Sequence, residues 1–169
     1  MRTLVFSLLA ALVFGSAAIA ADAVPNRIAK AKVGEWVLMQ DVSGDDSGEL
    51  TKVTLLAIDG DSFTVKREHI DAAGAVVESK EHVVKLDAYN KRMADMAARA
   101  KETTQEFVVI KDKQYPVTAV YVISETKDAD GNDREFKIWL SEELPIGGVA
   151  KTWSSDVKLP SAEVIDFGF

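Results

Sequence analysis

The chain has 169 residues, with 20 Lys or Arg against 27 Asp or Glu, so it carries a formal net charge of −7, and it contains no cysteine. An acidic chain without a basic cluster is a poor partner for nucleic acid or for anionic lipid headgroups. Without cysteine it forms no disulfide and carries no cysteine-linked lipid. We therefore expect no nucleic-acid partner and a fold that its core alone stabilises.

The first 20 residues predict a secretory signal peptide. Met1-Arg2 gives a positive start, residues 4–14 are almost entirely apolar, and Ala18-Ile19-Ala20 offers the small residues that signal peptidase reads. The apolar run is too short to span a bilayer core of about 30 Å, and no second apolar segment of about 20 residues follows. We expect a mature protein without a transmembrane anchor in the periplasm of a Gram-negative bacterium, with secretion to the medium as the alternative.

From residue 35 onward, short alternating or β-branched segments are separated by Gly and Asp turns, which is typical of an antiparallel meander. Asp59-Gly60 predicts a two-residue type I′ hairpin loop. Ala73-Gly74, Lys113-Gln114 and the loops at 43–48 and 128–133 are expected to close further hairpins. The predicted strands are 35–40, 50–58, 62–70, 75–85, 106–110, 115–125, 134–141, 149–153 and 162–167.

Residues 86–104 interrupt this pattern and predict one long α-helix with Asp87 as its N-cap. Two acid-first pairs, Asp87 with Lys91 and Asp95 with Arg99, are expected on its exposed face. Residues 25–32 are a candidate short helix. The apolar residues at helical spacing are Leu86, Tyr89, Met93, Met96, Ala97 and Ala100.

The alternation within two strands predicts the architecture. Residues 115–125 are apolar on both faces of the strand. In residues 134–140, one face carries Glu135, Lys137 and Trp139 and is expected to be solvent-exposed. A nine-stranded antiparallel sheet left flat would expose its edges. We therefore expect a mainly β fold in which a curled sheet or half-barrel of about nine strands carries the helix in its mouth or concavity. A single domain over 35–169 would follow an N-terminal segment, 21–34.

The sequence shows no catalytic constellation. If the hairpin at Ala73-Gly74 closes there, His69 pairs near Glu78 and His82 near Val65, so the two histidines do not meet. The Asp-rich loops at 43–48 and 128–133 lack the spacing of a calcium loop and are better interpreted as turns. We expect no metal, no cofactor and no enzymatic activity, and an unrecognised enzyme ranks third among the functions considered.

One set of residues suggests an apolar ligand cavity. Met93 and Met96 on the helix have adaptable side chains, and Tyr89, Tyr121 and Trp139 could complete the wall. The alternative is that the methionines and Tyr89 are ordinary core residues, which is the commoner use of such a stripe.

The last third of the chain carries a specific pattern. Trp139-Leu140-Ser141 runs into Leu144-Pro145-Ile146-Gly147-Gly148, and Phe167-Gly168 stands near the end. This pattern, over residues 110–169, resembles one found in an uncharacterised family of exported bacterial β-rich proteins, which implies export and a β-rich fold but no site residues. The Pro-Gly-Gly segment itself is interpreted as a structural corner.

The expected architecture is also loosely similar to that of periplasmic lipoprotein carriers of the LolA and LolB type. The first hypothesis is therefore a non-enzymatic periplasmic protein that binds a lipid or another apolar ligand in a half-barrel. The second is an envelope interaction or accessory protein with a filled core, for which Trp139 and Trp153 would be the anchors.

Overall fold

The computed structural model describes residues 24–42, 48–127, 131–156 and 161–169. The predicted signal peptide and most of the two Asp-rich loops lie outside the described residues. One short 3-10 helix, one α-helix and nine strands follow in chain order. They are the 3-10 helix Arg27–Lys30, β1 Trp36–Asp41, β2 Leu50–Asp59, β3 Ser62–Ile70, β4 Val76–Lys85, α1 Leu86–Ala98, β5 Ala100–Ile110, β6 Lys113–Lys127, β7 Asp133–Leu140, β8 Val149–Ser154 and β9 Ala162–Gly168.

All nine strands form one antiparallel sheet in the order β4-β3-β2-β1-β9-β8-β7-β6-β5. Strands that follow each other in the chain are paired, except β4 and β5, which the helix separates. In addition, β1 pairs with the last strand, β9, and so joins the two ends of the described chain. The sheet is curled but does not close, and β4 and β5 are its edges. The expected mainly β half-barrel with a helix packed on it is confirmed.

The β3–β4 hairpin has the predicted register. His69 lies opposite Glu78, and Val65 lies opposite His82. Between these two pairs lies the pair of Arg67 and Lys80. The histidines are therefore separated by four positions along the ladder, about 13 Å at 3.3 Å per residue.

Two other hairpins turn at different residues from those predicted. Asp59 pairs with Ser62, so the first loop is Gly60-Asp61. Only Gly60 of that loop has a positive φ, 53°, which is the sign pattern of a type II′ turn rather than the predicted type I′. The β5–β6 loop is Lys111-Asp112 rather than Lys113-Gln114, and both of its residues have positive φ, 48° and 63°.

The helix is shorter than predicted. It ends at Ala98, and Arg99 leaves helical geometry with φ −97° and ψ 0°. Ala100 already pairs with Val122 of β6. Residues 100–104 continue the helical apolar spacing only briefly, and pairing with a neighbouring strand overrides that local preference.

The start of the helix also differs from the prediction. Lys85 occupies the N-cap position and makes no side-chain cap, while Asp87 lies in the first turn and accepts the Ala88 N–H at 2.7 Å. Lys91 pairs with Asp95 at 3.2 Å, in cation-first order, instead of with Asp87. The candidate helix at 25–32 is the single 3-10 turn described above.

Two apolar clusters hold the sheet. Cluster one joins both ends of the sheet and therefore lies on its inner face. Its buried members are Ile28, Val37, Leu55, Phe63, Ile110, Tyr115, Val117, Leu144, Ile146, Ala150 and Val164. Cluster two, on the opposite face of β6 and β7, is built on Val120, Val122 and Leu140. The prediction that β6 is covered on both faces is confirmed.

The Pro-Gly-Gly segment is a buried corner between β7 and β8. Ser141 N–H donates to Gly148 O at 2.8 Å, and Gly148 N–H donates to Pro145 O at 3.0 Å. Gly148 has φ 73°, and a Cβ at this position would overlap the carbonyl oxygen of Ser141. Only glycine fits there without displacing the corner. The interpretation of this motif as a structural corner is confirmed.

A buried ion pair fastens the corner to the start of β1. The Glu35 side chain is 0% exposed and accepts Arg27 Nη2–H at 2.9 Å. The same carboxylate accepts the backbone N–H of Ile146 at 2.8 Å. Ile146 has φ 55°, an uncommon conformation for a β-branched residue, and this charged hydrogen bond stabilises it.

Candidate functional site

A cleft of about 600 Å³ lies between β5 and β9 on the inner face of the sheet. Residues 106–111 form one wall, residues 163–165 form the other, and Trp139, Ala150 and Lys151 form the floor. The inward side chains Val108, Ile110 and Val164 belong to cluster one or pack against it. The two walls of the cleft are strands, and polar and apolar groups line it in similar measure.

Glu106 occupies one end of the cleft and is held by three donors. Its carboxylate accepts Trp139 Nε1–H at 2.8 Å, Lys137 Nζ–H at 2.9 Å and Thr104 Oγ1–H at 2.8 Å. The bond from Trp139 does most to lower the pKa of Glu106, to about 2; bonds from Lys137 and Thr104 add to this and partial burial opposes it. Glu106 is therefore an ionised, fixed acceptor at neutral pH.

Two lysines flank the indole of Trp139. Lys137 Nζ lies 4.7 Å from the centre of the Trp139 ring, and Lys151 Nζ lies 5.7 Å from it. Lys151 also pairs with Glu163 at 3.3 Å. The register explains the arrangement, because Trp139 lies opposite Lys151 on β8. Trp139 is thus half-buried, with two cations near its ring, on the strand face that the sequence predicted to be solvent-exposed.

The opposite end of the cleft is bridged by an ion pair. Lys111 Nζ, in the β5–β6 turn, lies 2.7 Å from Asp166 Oδ1 on β9. This hydrogen bond is the main cause of the lowered pKa of Asp166, and the backbone N–H of Phe167 contributes to the same effect. The ring of Tyr115 meets that of Phe167 edge-on at 5.4 Å between centroids. The two strands are therefore linked at this end.

The five residues predicted to line one cavity lie in different places. Tyr89 packs edge-on against Phe63 at 5.6 Å between centroids, and burial raises the pKa of its hydroxyl. Met93 and Met96 pack on cluster two. Tyr121 and Trp139 lie on the opposite face of the sheet from that cluster, because Tyr121 alternates with Val120. The helix methionines and Trp139 thus do not share a cavity.

Tyr121 lines a separate, smaller recess of about 140 Å³ with Glu102, Thr104 and Lys137. A hydrogen bond to Glu135 is the main reason that the pKa of Tyr121 is raised. Thr104 and Lys137 also bind Glu106, so the recess adjoins the Glu106 end of the cleft. Among the predicted cavity residues, only Trp139 lies in the cleft itself.

The other candidate sites show no such organisation. His69 lies beside Thr51, with 3.3 Å between His69 Nδ1 and Thr51 Oγ1. In the described part of the chain, no group of three or more His, Asp or Glu side chains is placed to hold a metal ion. The 43–48 and 128–133 loops fall largely outside that part. No described helix is both long and apolar enough to cross a membrane.

Most residues of the cleft were not predicted from the sequence. Glu106, Val108 and Ile110 alternate along β5, and this pattern places a carboxylate at the start of an apolar stretch of that strand face. That signal was readable in the sequence. The opposition of β5 to β9 was not, because it depends on how far the sheet curls.

Comparison with family models, with curated proteins and with solved structures found no match to this chain.

Proposed function

We propose that this protein is exported to the periplasm and binds a ligand in the β5–β9 cleft without transforming it. The observation that carries the proposal is the cleft itself, whose volume of about 600 Å³ falls in the range of ligand sites. Export is supported by the signal-like residues 1–20 and not by the fold.

The groups at the Glu106 end support binding over acid–base catalysis. A catalytic acid or base works best when its pKa lies near the working pH. Glu106, with a pKa of about 2 and three hydrogen-bond donors, is instead suited to hold Trp139 and Lys137 in place. A preorganised indole flanked by cations is a contact surface for a ligand.

Two ligand classes agree with the proposal. A lipid or other apolar small molecule would contact the apolar side chains that line the cleft, Val108 and Trp139 among them. A segment of an envelope protein is the second candidate, and it is favoured by a specific observation: both walls of the cleft are strands rather than a closed apolar chamber. Trp153, at 39% exposure, lies opposite Lys137 and would extend the contact surface.

The proposal is tested by native mass spectrometry of the protein purified gently after export under its own signal. The wild type is expected to carry a stoichiometric adduct. Val108→Trp fills the cleft and should remove the adduct, while Val77→Trp makes the same exchange at a 65% exposed position on β4 and should keep it. Thermal melts of both variants establish that they fold. Equal adduct in the two variants would place the ligand elsewhere.

A further inference from the structure

The directions of β5 and β9 point to the kind of ligand that the cleft takes. Four successive antiparallel pairings lead from β5 through β6, β7 and β8 to β9. An even number of reversals makes β5 and β9 parallel to each other. In an antiparallel sheet, two strands that run in the same direction are the neighbours of one strand between them.

Both walls present backbone edges to the cleft. In the strand pairings of the described residues, β5 pairs with β6 alone, and β9 pairs with β8 only at Ala162 and Glu163. The edge of β9 over residues 164–167 that faces away from β1 therefore has no strand neighbour there. N–H and C=O groups on such edges are available to a further strand.

The hairpin register identifies the backbone groups of β5 that face the cleft. A two-residue turn joins a hydrogen-bonded pair, here Ile110 and Lys113. Hydrogen-bonded and non-hydrogen-bonded positions alternate, so the N–H and C=O groups of Val109 and Phe107 point away from β6, toward the cleft. Their side chains, 63% and 69% exposed, lie on the outer face beside it.

We propose that the cleft binds an extended peptide segment of a partner protein, which pairs antiparallel with the free edge of β5 and has β9 as its facing wall. This inference rests on the proposed function and names the ligand class of that site. From Glu106 to Ile110 the wall measures about 13 Å, so about four or five residues of the segment are held. The segment enters at the Glu106 end, because Lys111 and Asp166 bridge the other end.

The side chains of the cleft define the chemistry of this segment. Residues pointing inward meet Val108, since Ile110 and Val164 are only 4% exposed, and residues pointing outward cover Phe107 and Val109, so both sets are apolar. The charged groups at the rim are already paired, Lys137 with Glu106, Lys151 with Glu163 and Lys111 with Asp166. The segment is therefore uncharged over its bound residues.

Backbone chemistry favours a peptide over an acyl chain. A hydrocarbon laid between two strand edges would cover N–H and C=O groups without hydrogen-bonding them, and each such group costs free energy. A peptide strand pairs with the same groups and covers the same apolar side chains, as in other cases of strand addition.

The test begins with a display library of random nine-residue peptides, selected on the exported full chain. We expect enrichment of uncharged segments with apolar residues at successive positions. The best segment is then synthesised, and its affinity is measured by calorimetry together with the fluorescence of Trp139 in a Trp36→Phe, Trp153→Phe background. Binding should shift the Trp139 emission.

A matched pair of variants tests the backbone edge. Val109→Pro removes the N–H that faces the cleft without removing a β5–β6 hydrogen bond, and it should lower the affinity for the peptide by about tenfold. Val109→Ala keeps that N–H and should lower the affinity for the peptide by less than about threefold. If Val109→Pro lowers stability, methylating alternate amide nitrogens of the peptide tests the same bonds with the wild-type protein.

Three results would overturn the inference. The first is that no peptide is enriched, and the second is that peptides bind the wild type and Val109→Pro equally and tolerate N-methylation. The third is a lipid-mass adduct that Val108→Trp removes, which would overturn the peptide but uphold the cleft as the ligand site. If neither peptide nor adduct binds, the inference and the proposed function both fail.

Discussion

The two edge strands of the sheet, β4 and β5, differ in whether charged side chains protect them from pairing with other chains. β4 is exposed along nearly its whole length and carries a charge or a histidine at five of its ten positions, Glu78, Lys80, Glu81, His82 and Lys85. The part of β5 that borders the cleft, Glu106 to Ile110, has one charge, and Glu106 is already bound by three donors.

This difference shows that one edge strand of a sheet can be protected from pairing with strands of other chains while the other edge strand is left without that protection. Charged side chains on an edge discourage association with other strands, and β4 uses this device. β5 lacks it and instead faces β9 across the cleft. A 13-residue helix joins the two edges, so one connection separates the blocked edge from the available one.

The largest expected loss of stability comes from breaking the buried ion pair at the corner, and it is compared with breaking the exposed ion pair at the end of β4. Arg27→Ala leaves the buried carboxylate of Glu35 without its guanidinium, which should lower the free energy of unfolding by about 4 kcal/mol. Lys85→Ala removes the exposed pair with Asp61 and should cost less than about 1 kcal/mol. Denaturant unfolding measures both, and equal losses would contradict the assignment of the corner as the main anchor.

The same substitution at two glycines compares the corner with the tip of the β3–β4 hairpin. Gly148→Ala combines a positive φ with overlap on Ser141 and should cost about 3 kcal/mol or more. Gly74→Ala also has a positive φ, 83°, but meets no atom within 4 Å, so it should cost about 1 kcal/mol. A Gly74→Ala variant as unstable as Gly148→Ala would show that overlap at the corner is relieved at no cost.

The helix α1, which joins the two edge strands, is expected to stabilise the protein by packing against cluster two and to take no part in the cleft. Met93→Lys places a charge against Val120 and Leu140 and should lower stability by about 2 kcal/mol. Ala94→Lys, at an exposed position one residue later, should change it by less than about 0.5 kcal/mol. Calorimetric melts measure both variants. If folded Met93→Lys loses cleft binding, the helix methionines contact the ligand after all.

The smallest expected effect is on the pKa values of two carboxylates, one on each edge strand. Hydrogen bonds lower the pKa of Glu106 to about 2, led by the bond from Trp139, and they lower that of Glu78, where Lys80 is the main cause. Because the folded pKa of Glu106 lies below its unfolded value near 4.5, its contribution to stability is present above pH 4.5 and is lost as the pH falls toward 2.

NMR titration of the carboxyl carbons measures both pKa values. In about 0.5 M salt the lowered pKa of Glu78 should return toward its ordinary value, since its partner is an exposed lysine. The lowered pKa of Glu106 should largely persist, since its first donor is an uncharged indole. Trp139→Phe should raise it, and an unchanged pKa in that variant would contradict the role of the indole.

Local patterns predicted much of the sheet. Period-two alternation located all nine strands, and the Ala73-Gly74 turn predicted the register that places His69 opposite Glu78. The Pro-Gly-Gly motif predicted a corner because proline and glycine restrict or permit particular backbone angles. These features depend on residues close together in the chain, so a single sequence is enough to reveal them.

The candidate site was far less predictable. The hydrogen-bond donors to Glu106 come from two strands, β5 and β7. The cleft also requires β9 to lie opposite β5. The helix stripe predicted a buried face but not which face of the sheet it covers, and so Met93 and Met96 were grouped with Trp139 although they lie on opposite sides of β6.

The sequence by itself therefore determined the strands, the β3–β4 register and the corner, because these follow from side-chain alternation and local backbone chemistry. The tertiary structure alone decided the end of the helix at Ala98, the pairing of β1 with β9, the burial of Glu35 against Arg27 and the cleft. Each of these depends on contacts with other elements of the fold, and no local pattern encodes those contacts or how far a sheet curls.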